Sequence, residues 1–210
     1  MKLKVCGLKD RENILQVLAY KPDYIGFIFY KKSPRYAAKE LSAEFAQSIS
    51  SVKKVGVFVN ESEMNILDHV TRFGLDYIQL HGNESPEFCK QVQKYVPVIK
   101  AFGVGEGFYF SSLDAYKDVC NYFLFDSSSK EYGGSGRAFN WNKLKEYTLQ
   151  KPFFLSGGIY LSNMEEISNL KPQASNLFAV DVNSCFEITP GIKDISKIKE
   201  LTTKIKKDVV

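Results

Sequence analysis

Short runs of β-branched and aromatic residues recur about every 20–30 positions along the chain, and between them apolar residues return every three or four. The runs predict strands over residues 3–6, 24–29, 54–59, 77–80, 98–102, 122–126, 153–156 and 177–181. The segments between them predict helices over 10–20, 38–49, 61–73, 85–95, 111–117, 140–149, 162–170 and 194–206. Asp10, Ser85, Ser162 and Asp194 stand at helix starts, where a side-chain oxygen can accept from the free N–H groups of a first turn. Strict alternation of strand and helix calls for parallel strands joined by right-handed crossovers. An open doubly wound sheet and a closed barrel both satisfy that pattern. Eight units in 210 residues favour closure. The expected fold is therefore α/β, a single (β/α)8 TIM barrel, with residues 1–210 forming one domain. No Pro/Gly/Ser-rich linker divides the chain.

A barrel of this kind presents its reactive groups at the C-terminal ends of its strands. Polar residues do collect where the apolar runs stop. Cys6 ends the first run and Arg35 follows the second in Ser33-Pro34-Arg35. Asn60 ends the third, Gln79 and His81 the fourth, and Asp126 the sixth. Ser156-Gly157-Gly158 closes the seventh and Asp181-Val182-Asn183-Ser184 the eighth. The opposite ends carry Lys53, Pro97 and Pro152, which reads as a stability face.

Each of these positions admits a chemistry and a plainer alternative. Gly157-Gly158, after a strand and before a predicted helix, lets backbone N–H groups approach an anion, with Ser184 from the next loop beside it. Loops seven and eight are the usual phosphate site of a barrel. A tight turn that binds nothing is the plainer reading. Period two puts Leu124 and Asp126 on the barrel interior and Phe123 and Phe125 toward the helices. A carboxyl at an apolar strand end tends toward a raised pKa and suits a general acid, whereas a loop-capping aspartate is the commoner role. Cys6 shares a face with Lys4, whose ammonium would lower the thiol's pKa and make a base or nucleophile. Buried cysteines more often simply pack. Arg35 can pair bidentately with a substrate carboxylate or bond loop carbonyls. His81 reads as a hydrogen-bonded wall residue rather than a proton-transfer group. Glu131 through Arg137 has the composition of a lid that excludes water, or of a turn.

Composition narrows the classes. The hydrophobic fraction is 44% and the charged fraction 25%, ordinary for a globular domain. A net charge of +4 with scattered basic residues argues against a nucleic-acid groove. No stretch approaches the roughly 18 apolar residues of a membrane span. The opening MKLKVCGLKD has no secretory h-region. Cys6, Cys89, Cys120 and Cys185 match no CxxC or zinc spacing, so reduced thiols in a cytoplasmic protein are expected. Only His69 and His81 are available as imidazole ligands, which speaks against a metal-dependent epimerase.

Taken together, the motifs resemble the phosphoribosylanthranilate isomerase family. They are Lys4-Val5-Cys6-Gly7, Gly26-Phe27-Ile28-Phe29 with Ser33-Pro34-Arg35-Tyr36, Val55 through Asn60, and Gln79-Leu80-His81-Gly82. Phe125-Asp126, Gly133-Gly134-Ser135-Gly136, Phe139-Asn140-Trp141 and Ser156-Gly157-Gly158-Ile159 follow in order, then Asp181 through Ser184 and Pro190 through Asp194. The resemblance implies an Amadori rearrangement in tryptophan biosynthesis with no cofactor and no metal. It implies Asp126 as general acid, Cys6 as the base at C2′, and Arg35 holding the anthranilate carboxylate. Gly157, Gly158, Asn183 and Ser184 would hold the phosphate, and Gln79, His81 and Asp181 would be further substrate-binding positions. The partner implied is a small phosphorylated substrate, with no nucleic acid and no membrane, bound by a monomer or homodimer. One position departs: Cys185 stands where the resemblance calls for glycine, which would strain the backbone if φ is positive there. Another phosphosugar barrel enzyme and a non-catalytic phosphate-binding barrel are the competing readings.

Overall fold

The apolar runs are nearly continuous because each strand is covered on both faces, as parallel strands must be. In the computed structural model, which describes residues 1–127, 139–170 and 174–207, they form β1 (Lys2–Val5), β2 (Tyr24–Ile28), β3 (Lys53–Phe58) and β4 (Tyr77–Leu80). Then follow β5 (Val98–Val104), β6 (Tyr122–Ser127), β7 (Phe153–Leu155) and β8 (Leu177–Val182). Neighbours in sequence pair in parallel, and β8 returns to β1 through Lys4↔Asp181 and Val5↔Val182. The sheet is a closed barrel, not an open one. Among the described residues no helix is long and apolar enough to cross a membrane.

Two apolar clusters follow from the period-two pattern. Tyr24, Val55, Ile99, Ala101, Leu124, Phe154 and Ala179 fill the barrel. Leu3, Val5, Phe123 and Phe125 belong to the larger layer outside it, under the helices. A register shift against Phe153 and Phe154 in the β7–β8 ladder skips Phe178, which packs against the interior cluster.

The connecting segments follow the expected order with changes in type. The α-helices are α1 (Arg11–Leu18), α2 (Ala43–Ser48), α3 (Glu63–Phe73), α4 (Pro86–Gln93), α5 (Met164–Leu170) and α6 (Ile195–Lys207). Asp10, Ser85 and Asp194 cap as expected, accepting from Asn13, Phe88 and Lys197 N–H respectively. The segments predicted as helices over 111–117 and 140–149 are instead 3-10 turns, Phe110–Tyr116 and Trp141–Glu146. Local side-chain bonds compete there with α-helical pairing, as Ser112 Oγ donating to Tyr109 O shows. The segment predicted over 38–49 splits into a 3-10 turn, Ala37–Lys39, and α2. The start expected at Ser162 is a 3-10 turn, Leu161–Asn163, in which Asn163 Oδ1 accepts from Tyr160 N–H. An unforeseen antiparallel hairpin, β9 (Glu187–Thr189) and β10 (Ile192–Lys193), follows β8. The lid composition at residues 131–137 lies outside the described residues.

Candidate active site

Alternation along four strands builds the floor of the site. Lys4 and Cys6, Gln79 and His81, Asp126, and Asp181 and Asn183 share the parity that faces inward. Lys4 is fully buried, and its ammonium donates to Asp181 Oδ2 at 2.7 Å and to Gln79 Oε1 at 2.8 Å. An ammonium can only donate, so the Gln79 carbonyl is turned toward it and the amide nitrogen toward His81. That nitrogen lies 2.7 Å from His81 Nδ1, which then accepts and leaves the ring proton on Nε2. His81 Nε2 is 3.4 Å from Asp126 Oδ2. One unbroken polar chain thus links Asp181, Lys4, Gln79, His81 and Asp126.

Most of the positions singled out at the strand ends reach one cavity; Asn60 does not line it. Its wall carries Cys6, Arg35, Gln79, His81, Asp126 and Asp181, and its rim Gly157, Gly158, Asn183 and Ser184. Its empty volume is about 750 Å³, open solvent at the mouth included. Among the described residues no group of three His, Cys, Asp or Glu side chains is placed to hold a metal ion.

The electrostatics correct one expectation. Burial pushes the Cys6 thiol up, and this outweighs the pull of Lys4 and Lys193 toward the thiolate. Lys4 was expected to lower that pKa on balance; it only opposes a larger desolvation. Burial likewise raises Asp181 despite Lys4, and one of its oxygens, Oδ1, has no hydrogen-bond partner among the described residues. Burial works against the Lys4 charge, but Asp181 and Cys6 hold it raised. Asp126 lies beside polar groups, His81 and the Ser127 N–H. Its side chain is 14% exposed, and Oδ1 accepts from Ser127 N–H at 2.8 Å.

The rim glycines do more than turn the chain. Gly157 has φ +78°, and a Cβ there would collide with Asp126 Oδ1 and the Ser127 backbone. The β7 loop therefore presses its backbone directly on the carboxyl. The N–H groups of Gly157, Gly158 and Ser184 have no acceptor among the described residues, as an anion cradle requires. The expected contribution of a following helix is weaker than the sequence implied, because α5 begins only at Met164, beyond the 3-10 turn. Asn183 and Ser184 come from the neighbouring loop after β8, at the start of the 3-10 turn Ser184–Phe186. Cys185 is not among the residues with positive φ, so the strain expected of a replaced glycine is absent.

Arg35 brings residues to the site that the sequence did not single out for it. Its Nε lies 3.0 Å from both Glu187 carboxylate oxygens and its Nη2 2.7 Å from Oε2. Glu187 Oε1 also accepts from Lys193 Nζ at 2.7 Å and from Gly191 N–H at 3.1 Å. Lys193 is fully buried and donates to Asn183 Oδ1 at 2.8 Å. Burial lowers its pKa despite Glu187, while Arg35 and Lys193 hold Glu187 low against burial. The Pro190-Gly191 pair between two short runs was the available hairpin signal. Nothing in the sequence marks Lys193 as buried, because lysine is normally a surface residue.

With this geometry in view, the comparisons with known proteins agree. The family model for N-(5'phosphoribosyl)anthranilate (PRA) isomerase matches residues 3–204. An N-(5'-phosphoribosyl)anthranilate isomerase of Parabacteroides distasonis is 42% identical over 209 residues, spanning 98% of this chain and 93% of its relative. The crystal structure of phosphoribosyl anthranilate isomerase from Thermus thermophilus superimposes with a TM-score of 0.86 at 29% identity, covering 99% of both chains. A phosphoribosyl anthranilate isomerase in complex with reduced 1-(o-carboxyphenylamino)-1-deoxyribulose 5-phosphate superimposes at 0.79 with 30% identity, again over 99% of each. Sequence match and barrel superposition run nearly end to end, and the chain belongs to the N-(5'-phosphoribosyl)anthranilate isomerase family.

Proposed function

We infer that this chain catalyses the Amadori rearrangement of N-(5'-phosphoribosyl)anthranilate to the 1-(2-carboxyphenylamino)-1-deoxyribulose 5-phosphate, within tryptophan biosynthesis. The observation that carries the residue assignment is a thiol and a carboxyl on the wall of one cavity, ending β1 and β6. Asp126 gives its proton to the ribose ring oxygen, the C1′–O bond breaks, and the nitrogen lone pair forms the iminium. Cys6, as thiolate, removes the C2′ proton, and the electrons of that C–H bond flow to nitrogen to give the enolamine. A proton gained at C1′ and one lost from the 2′-hydroxyl complete the ketone. The substrate's nitrogen is the electron sink, so the reaction as written calls for no cofactor.

The rest of the site holds the two ends of the substrate. Arg35 takes the anthranilate carboxylate, and the backbone of Gly157, Gly158, Asn183 and Ser184 takes the phosphate. Gln79, His81 and Asp181 fix the acid and the Lys4 ammonium between them. In this reading the chain acts in the cytoplasm, as a monomer or homodimer.

Loss of substrate fluorescence on adding purified protein, without metal or cofactor, tests the activity. Cys6→Ala and Asp126→Asn should each lower kcat by about 10²–10⁴, the scale of a lost general acid or base, with far-UV circular dichroism unchanged. Turnover near that of the parent in either variant refutes the pair. Arg35→Ala should raise KM with kcat little changed, and unaltered kinetics would remove its role.

A further inference from the structure

The guanidinium of Arg35 is not free to choose how it meets an anion. Glu187 occupies the side edge, Nε and Nη2, leaving the two N–H groups of Nη1 and the outer one of Nη2. The aliphatic stem runs close to the Gly7 backbone, where a Cβ would meet Arg35 Cδ at 2.9 Å. The Glu187 side chain, 4% exposed, is itself held by Lys193 and by the Gly191 amide. Charge follows from the same contacts. One carboxylate lies between two cations, so Lys193 prevents Glu187 from neutralising Arg35.

We propose that Glu187 is a positioning residue which, clamped by Lys193, closes the side edge of Arg35 and presents its end-on Nη1/Nη2 fork to the substrate's aryl carboxylate. Specificity for a carboxylated aglycone then depends on a residue that does not touch the substrate. This rests on Arg35 as the carboxylate's seat and adds what orients it. Two effects of Glu187 have opposite signs. As a nearby negative charge it repels the substrate carboxylate, and removing it would tighten binding. As a positioning group it pre-orders the fork, and removing it loosens binding.

The sign of the KM change separates them. Parent, Glu187→Gln and Glu187→Asp proteins are assayed with the phosphoribosyl conjugates of anthranilate and of aniline, the latter lacking the carboxylate. Both substitutions should raise KM for the anthranilate conjugate about tenfold while kcat stays within about twofold. Neither parameter should move by more than about twofold for the aniline conjugate. Unchanged or lower KM for the anthranilate conjugate in Glu187→Gln overturns the proposal, as does an equal loss on both substrates. Glu187→Asp, which keeps the charge but withdraws the carboxylate, gives the reading should Glu187→Gln not fold. Arg35→Ala in the same series keeps the two ideas apart. Loss of discrimination in Arg35→Ala with none in the Glu187 variants sinks only the positioning role. A parent protein that does not distinguish the two conjugates sinks the seat itself.

Discussion

Cys6 shows most sharply how a position can be placed correctly while its electrostatics are read with the wrong sign. Period two places it beside Lys4 and facing the cavity, and the barrel keeps it there. The sign of its pKa shift depended on how completely burial removes water, which no run of letters reports. A raised pKa means that the thiolate fraction at neutral pH is small and grows with alkalinity. The working form is the base, so kcat/KM should climb through and beyond the free-thiol range of about 8.5. A profile that flattens below that range, measured with stability monitored at each pH, contradicts this. Gly157 offers a second test at this scale. Alanine there adds a Cβ where Asp126 Oδ1 lies and keeps a positive φ. Gly157→Ala should lower kcat at least about tenfold beyond any loss of stability, because the acid is displaced by the new atom.

The β9–β10 hairpin is the element that the pattern of apolar runs failed to predict. It is too short to show a period, and its position is set by contacts distant in sequence. Asn13 on α1 donates through Nδ2 to Lys193 O at 2.9 Å and accepts at Oδ1 from Lys193 N–H at 2.7 Å. Asn13→Ala removes both bonds from a buried place and should cost about 1–3 kcal/mol in thermal or urea unfolding. It should also raise KM for the anthranilate conjugate, since Lys193 and Glu187 lose their anchor. Acid stability belongs to the same element. The folded pKa of Glu187 is depressed, so its contribution is complete above the unfolded value of about 4.3 and is lost as pH falls below it. Chemical denaturation from pH 6 down to pH 3 should therefore show a shallower decline in Glu187→Gln than in the parent protein. The 3-10 turns on either side of β6 and the split of the predicted helix before β3 have a related origin: short connections with competing serine and asparagine bonds do not sustain α-helical pairing.

At the scale of the molecule, the barrel brings β1, β4, β6 and β8 together around a buried cation. Lys4 satisfies Asp181 and Gln79 at once, and through Gln79 it sets the tautomer of His81 beside Asp126. Lys4→Met leaves the Asp181 carboxyl buried without a counter-charge and should cost about 3–5 kcal/mol. Adding Asp181→Leu should recover much of that stability in urea titrations but none of the activity. If the double variant is no more stable than Lys4→Met alone, the buried pair is not what supports this part of the barrel.

The order of strands and helices, the closure implied by eight units, and the side of the barrel that carries chemistry were all legible in the sequence. Each follows from local periodicity and from where apolar runs stop. So were the parities of Cys6 and Asp126, because alternation along a strand is a local rule. Tertiary structure alone decided the balance of charge and burial at Cys6, the polar surroundings of Asp126, and the clamp of Glu187 between Arg35 and Lys193. Those properties are sums over neighbours far apart in sequence, such as Lys193 acting on Cys6 and Glu187 on Arg35. Desolvation and pairing depend on distance in space, and only the closed barrel sets that distance.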